Sequence, residues 1–100
     1  MTNKDKIIST LRELKPKYEK EGLIILGLFG SYAKNSADQF SDIDIAYSMD
    51  YKRFSKFYKD GFSKLLRLEE IKKELEQKMN AKVDFVPNSN KKIIKDLLIV

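Results

Sequence analysis

Gly30 and Ser31 are followed by ten residues and then by Asp42, Ile43 and Asp44. A Gly-Ser pair at the end of an apolar run is a turn whose backbone N–H groups suit phosphate. Two aspartates one residue apart suit a hard divalent cation. At this spacing both halves fit one short hairpin-like unit, so phosphate and cation would meet at the same place. Asp84, within Val83-Asp84-Phe85, offers a third carboxylate far along the chain. The chemistry this implies is the handling of a nucleotide.

Composition narrows the options. The chain has 100 residues, no cysteine and no histidine. Disulfides, thiolate metal sites, His-ligated zinc and Ser-His-Asp catalysis are therefore excluded. Any bound metal must be a hard cation on carboxylates, which points to Mg²⁺. A single domain spanning 1–100 is expected, and at this length roughly two-thirds of the unfolded surface is buried on folding. No apolar run reaches bilayer length and the first residues, Met1 to Lys6, form no apolar signal segment, so a cytoplasmic location is expected. The net charge of +5 is uneven: residues 1–50 carry 7 Lys/Arg against 8 Asp/Glu, and residues 51–100 carry 13 against 7. The basic half could face phosphates or an acidic partner, or it could simply be a solvated surface.

These side chains need a frame. Ile7, Ile8, Leu11, Leu14 and Tyr18 recur at helical spacing, so residues 4–20 read as an amphipathic helix capped by Asn3, stopped by Gly22 and kinked or broken at Pro16. Residues 23–29 are continuously apolar and read as a strand buried on both faces. Residues 31–35 open a short helix, and 42–47 alternate as a second strand. A long helical region follows, with an aromatic stripe at Phe54, Phe57 and Tyr58. Apolar positions from Phe62 through Leu65, Leu66, Leu68, Ile71 and Leu75 to Met79 continue it. Glu69 with Lys73 and Glu74 with Lys78 are spaced as stabilising pairs, and Asn80 suits the C-cap. Residues 82–86 form a third strand ended by Pro87. A last helix starts near Lys91 and holds Ile93, Ile94, Leu97 and Leu98. The expected fold class is α/β, in the order α-β-α-β-α-β-α: a small mixed three-stranded sheet flanked by about four helices.

Alternation puts Asp42 and Asp44 on one face of their strand, with Ile43 and Ile45 toward the core. Their backbones are then about 7 Å apart, close enough for carboxylates to converge on one or two cations. A short connection favours antiparallel pairing of the first two strands, which brings Gly30 and Ser31 beside the aspartates. The long helical crossover to the third strand favours parallel pairing, which places Asp84 near them. Three acidic groups on one face are costly without a cation. No dinucleotide-binding or Walker-type glycine loop is present, and an EF-hand starting at Asp42 would need glycine where Tyr47 stands.

Leu28-Phe29-Gly30-Ser31-Tyr32-Ala33-Lys34-Asn35, followed by Ser41-Asp42-Ile43-Asp44-Ile45 and Val83-Asp84-Phe85-Val86, resembles the minimal nucleotidyltransferases of the DNA polymerase β-like superfamily. The resemblance covers nearly the whole chain. It implies that Gly30, Ser31, Lys34 and Ser41 bind the nucleotide. It also implies that Asp42 and Asp44 bind Mg²⁺, two ions with ATP as substrate, and that Asp84 completes the metal site and helps activate an acceptor hydroxyl. Many such proteins are antitoxins paired with a HEPN-domain toxin RNase, and some move AMP from ATP to a tyrosine of that toxin. Lys34-Asn35 stands where the family usually has Arg-Gly. Lysine keeps the charge without the bidentate fork, and asparagine tolerates a left-handed backbone.

The implied function is thus AMP transfer to a hydroxyl of a HEPN toxin, in a hetero-oligomer with it. The alternative is a non-catalytic antitoxin that masks its partner, and a third option is transfer to a small molecule such as an aminoglycoside. The interleaved cations and aromatics of 50–62 could stack single-stranded nucleic acid, but a helix with an aromatic core stripe and a basic outer face explains them more simply. Neither nucleic acid nor a membrane is expected as a partner. Asp96-Leu97-Leu98-Ile99-Val100 either docks on the sheet or belongs to a partner interface.

Overall fold

The computed structural model describes residues 3–38, 41–89 and 97–100. Asn3 caps the first helix, α1 (Lys4–Glu19), by accepting the Lys6 N–H at 2.9 Å. Pro16 lies inside α1 without breaking it. Buried Leu14 and Tyr18 on either side hold that turn on the sheet, which outweighs the missing hydrogen bond. The chain leaves α1 at Gly22 with φ at +100°.

The first strand, β1 (Leu23–Phe29), pairs antiparallel with β2 (Ile43–Met49), and β2 pairs parallel with β3 (Val83–Pro87). The sheet order is β3-β2-β1-β4, with four strands rather than three. The added strand, β4 (Leu98–Ile99), lies antiparallel on β1, so Leu98 belongs to a strand and not to the expected last helix. Residues 90–96, where that helix was expected to begin, lie outside the described residues. Gly27 permits the β4 contact, because a Cβ there would strike the Leu98 carbonyl and lie 3.1 Å from the Ile99 Cα. Val100 N–H also donates to the Leu26 carbonyl at 3.1 Å, so this segment docks on the sheet edge.

A β-bulge between Ile25 and Gly27 decides which way β1 faces. Leu23 and Ile25 point into the core, Leu26 is the extra residue, and Leu28 then points inward too. Without the bulge, Leu28 would share a face with Leu26 instead. On the core side the sheet packs against Ile7, Leu11, Leu14 and Tyr18 of α1 and against Ile71, Leu75 and Met79 of a long helix.

The expected long helix is two: α3 (Tyr51–Phe57) and α4 (Gly61–Met79), separated where Asp60 caps α4 by accepting Ser63 N–H. Only Phe54 of the aromatic stripe is fully buried, whereas Phe57, Phe62, Leu65 and Leu66 are exposed. Glu74 does not turn to Lys78; it accepts from Tyr18 Oη at 2.8 Å and from Arg67 at 3.1 Å. Arg67 also grips both oxygens of Glu21 at 2.8 and 2.7 Å, and the Tyr58 hydroxyl donates to the same glutamate. This network ties α4 to the end of α1.

The Arg67 and Glu21 side chains are only 13% and 17% exposed, so removing either leaves a desolvated charge without its partner. Arg67→Met is expected to lower stability by about 3 kcal/mol in urea unfolding. The hydrogen bonds from Arg67 hold the Glu21 carboxyl below the usual glutamate range. Its contribution is therefore full above that range and is lost as pH falls through the depressed value, so the variant loses less stability than wild type on acidification.

Candidate functional site

The site forms where β1 ends and β2 begins. Phe29 is paired with Asp44 across the antiparallel ladder, and Asp44 is paired with Asp84 across the parallel one. Ile43 and Ile45 are fully buried, so Asp44 and Asp84 share the opposite face of the sheet. Asp42 sits one residue before the strand rather than inside it, and is exposed.

Gly30 follows Phe29 with φ at +72°, a backbone region that favours glycine. A Cβ at Gly30 would collide with the Asp44 carboxylate, its Cγ lying 2.9 Å away. The turn and the carboxylate are thus in direct contact, and only glycine fits between them. Gly30 opens the short helix α2 (Gly30–Ala33), whose N-cap residue Phe29 supplies no side-chain acceptor.

The far end of α2 closes as a Schellman motif. Ser36 N–H donates to the Ser31 carbonyl at 2.9 Å and Asn35 N–H to the Tyr32 carbonyl at 3.3 Å, with Asn35 left-handed at φ +61°. Asn35 therefore takes the left-handed backbone that asparagine was expected to tolerate here. Its side chain adds something glycine cannot, since Asn35 Oδ1 accepts from Lys4 Nζ at 3.3 Å. Lys4 also reaches the Ala33 carbonyl at 3.3 Å, so the start of α1 holds the end of α2. Lys34 is exposed, and its N–H donates to the Gly30 carbonyl at 3.1 Å.

Ser41 belongs to the approach to Asp42. Its hydroxyl accepts Asp38 N–H at 3.0 Å and donates to Asp38 Oδ1 at 3.3 Å. On the other side, β3 is set by Glu76 of α4, whose Oε2 accepts Val83 N–H at 3.0 Å. Ile43 N–H donates to the Lys82 carbonyl at 2.9 Å, which fixes the register that puts Asp84 beside Asp44. Lys4 and Glu76 had no sequence signal: one works 29 and 31 residues away, the other looks like an ordinary helix-surface glutamate.

Burial pushes the Asp44 carboxyl above the usual aspartate range, and the charges of Asp84 and Asp42 and a hydrogen bond with Asp84 add to the shift. Asp44 therefore feels both neighbouring carboxylates. Among the described residues, however, no three potential ligands are already gathered closely enough to hold a metal ion. The donors are all oxygens, which suits Mg²⁺. A cation there would relieve the repulsion that raises Asp44. No helix among the described residues is long and apolar enough to cross a membrane.

A family model described as nucleotidyltransferase domain matches residues 4–99. No curated protein matches the chain significantly in sequence. A solved structure assigned provisionally to the minimal nucleotidyltransferases superposes with a TM-score of 0.74 at 17% identity, over 98% of this chain and 96% of that one. At that identity the likeness speaks for the fold.

Asp84→Asn removes a neighbouring charge from Asp44, so its pKa should fall toward the ordinary aspartate value in a carboxyl-carbon NMR titration without metal. A folded-state pKa raised above the unfolded one means that the native state holds its proton longer, so stability falls as pH rises between the two values. That decline should shrink in Asp84→Asn. An unchanged Asp44 titration would mean that the carboxylates do not interact.

Proposed function

The chain belongs to the nucleotidyltransferase domain family, and we propose that this member moves AMP from ATP to a hydroxyl acceptor, a tyrosine of a partner HEPN-domain toxin, in an antitoxin role. The contact of the Gly30 turn with the Asp44 carboxylate carries this reading. It puts a phosphate-binding backbone and a cation-binding carboxylate at one point, as a nucleoside triphosphate with Mg²⁺ requires.

In this reading the N–H groups of Gly30 and Ser31 receive phosphate oxygens, Lys34 adds positive charge, and Ser41 binds the nucleotide once its hydroxyl is released from Asp38. Asp42, Asp44 and Asp84 would hold two Mg²⁺ ions. Bound there, the ions would offset negative charge on the phosphates and on the attacking and leaving oxygens. The acceptor oxygen bonds to the α-phosphorus, the bond from that phosphorus to the bridging oxygen breaks, and pyrophosphate leaves. The acceptor's proton passes to the Asp84 carboxylate, which is exposed and so reachable from outside. The sheet and its helices account for the nucleotide side alone, which supports an acceptor supplied from outside these residues.

A second reading is a non-catalytic antitoxin that neutralises its partner by complex formation. Lysine in place of the guanidinium fork at Lys34, and a Ser41 hydroxyl already committed to Asp38, favour it. Incubation with Mg²⁺, labelled ATP and the product of the neighbouring gene separates the two. Wild type should label that product, and Asp44→Asn should lower the rate by about a hundredfold or more. Equal labelling by both proteins would remove the catalytic reading.

A further inference from the structure

The short helix α2 carries the Gly30 turn at its start. It is a single turn of four residues, so about 6 Å long. None of the four is buried, although Tyr32 and Ala33 lean on the core. Phe29 caps the helix without a side-chain acceptor, and Gly30 at φ +72° is the joint on which it turns. One helical turn is not stable alone, so its direction must be set by what it touches.

The carbonyls of α2 have four donors. Gly30 accepts from Lys34 N–H, Ser31 from Ser36 N–H and Tyr32 from Asn35 N–H, all of them local backbone groups. The fourth carbonyl, that of Ala33, accepts from Lys4 Nζ at 3.3 Å. This donor comes from α1, and the same ammonium donates to Asn35 Oδ1 at 3.3 Å. Lys4 thus straddles the end of α2, where a cation also suits the negative pole of the helix. Its own backbone is held firmly, because α1 is anchored in the core by Ile7, Leu11, Leu14 and Tyr18. The lysine ties a helix with no buried residue to a helix with four.

We propose that Lys4 is a positioning residue for the nucleotide site, acting through the Ala33 carbonyl and Asn35 to fix the tilt of α2 over the Asp44 carboxylate. This rests on the reading of the Gly30 turn as the phosphate site. Over a lever of about 6 Å, a shift of about 1 Å at the Lys4 end tilts the turn by about 10°. Binding groups must be held to about 0.5 Å and 10–20°, so such a shift is felt. Lys4 is bonded at the end of α2 away from Gly30, so its effect reaches the phosphates through the helix. Asn35 is part of the device. Glycine at that position would keep the left-handed backbone but lose the acceptor.

The test titrates a fluorescent, non-hydrolysable ATP analogue with Mg²⁺ into the full chain, well below the thermal midpoint of each variant. Lys4→Met should weaken binding by at least about tenfold with only a small drop in that midpoint. Lys4→Arg, which can donate to both acceptors, should bind as wild type does. Asn35→Gly should weaken binding by a smaller factor, since Ala33 still accepts, and adding it to Lys4→Met should cost nothing further. Without nucleotide, the Gly30 and Ser31 amide resonances should move in Lys4→Met. Equal binding by wild type and Lys4→Met, or unmoved amides, overturns the proposal and leaves the nucleotide reading standing. Fully additive losses in the double variant also overturn it, since Lys4 would then act without Asn35. A wild type that does not bind the analogue removes the nucleotide reading, and this proposal with it.

Discussion

The placement of Gly30 against the Asp44 carboxylate rests on a constraint of parity in β1. Side chains alternate along a strand, so one residue more or less reverses every face beyond it. The bulge at Leu26 supplies that extra residue, which lets Ile25 and Leu28 both point into the core. Phe29 then falls opposite Asp44, and Gly30 turns over the carboxylate. Moving the bulge would bury the wrong side of β1 or carry the Gly30 turn away from the acid. The hydrophobic core and the candidate site are therefore fixed by the same register.

The remaining parts of the site extend this arrangement from either side. Lys4 and Asn35 close α2 from the direction of α1, while Glu76 and the Ile43–Lys82 bond set β3. The helix α4 serves both ends of the molecule. Its second half packs on the sheet and leads into β3, and Arg67 in its first half is paired with Glu21 and Glu74.

Much of this was legible in the chain because it follows from short-range rules. Strand alternation placed Asp44 on the face opposite Ile43 and Ile45, though it also carried Asp42 into a strand that begins one residue later, and connection lengths alone called for an antiparallel pair followed by a parallel one. Asn3, Gly22 and Asn80 marked helix ends through backbone chemistry that needs no tertiary context. What stayed hidden depends on distant partners. A run such as Leu23 to Phe29, apolar throughout, cannot show where it bulges, so it read as a strand buried on both faces. Leu98 continued a helical pattern, but the open backbone at Gly27 drew it into the sheet. Phe62, Leu65 and Leu66 were read with Leu68 and Ile71 as one apolar run at mostly helical spacing, yet of the first four only Leu68 packs on the core. Glu74 was read as a local pair with Lys78 because its real partners, Arg67 and Tyr18, were not distinguishable from other charged and aromatic neighbours.

The central claim is that the Gly30 turn and the aspartates form one site for a metal-bound nucleotide. Isothermal titration calorimetry with a non-hydrolysable ATP analogue tests it most directly. The account predicts saturable binding heat that requires Mg²⁺ and disappears in Asp44→Asn. Heat that is absent, or that is the same with and without Mg²⁺, would contradict it.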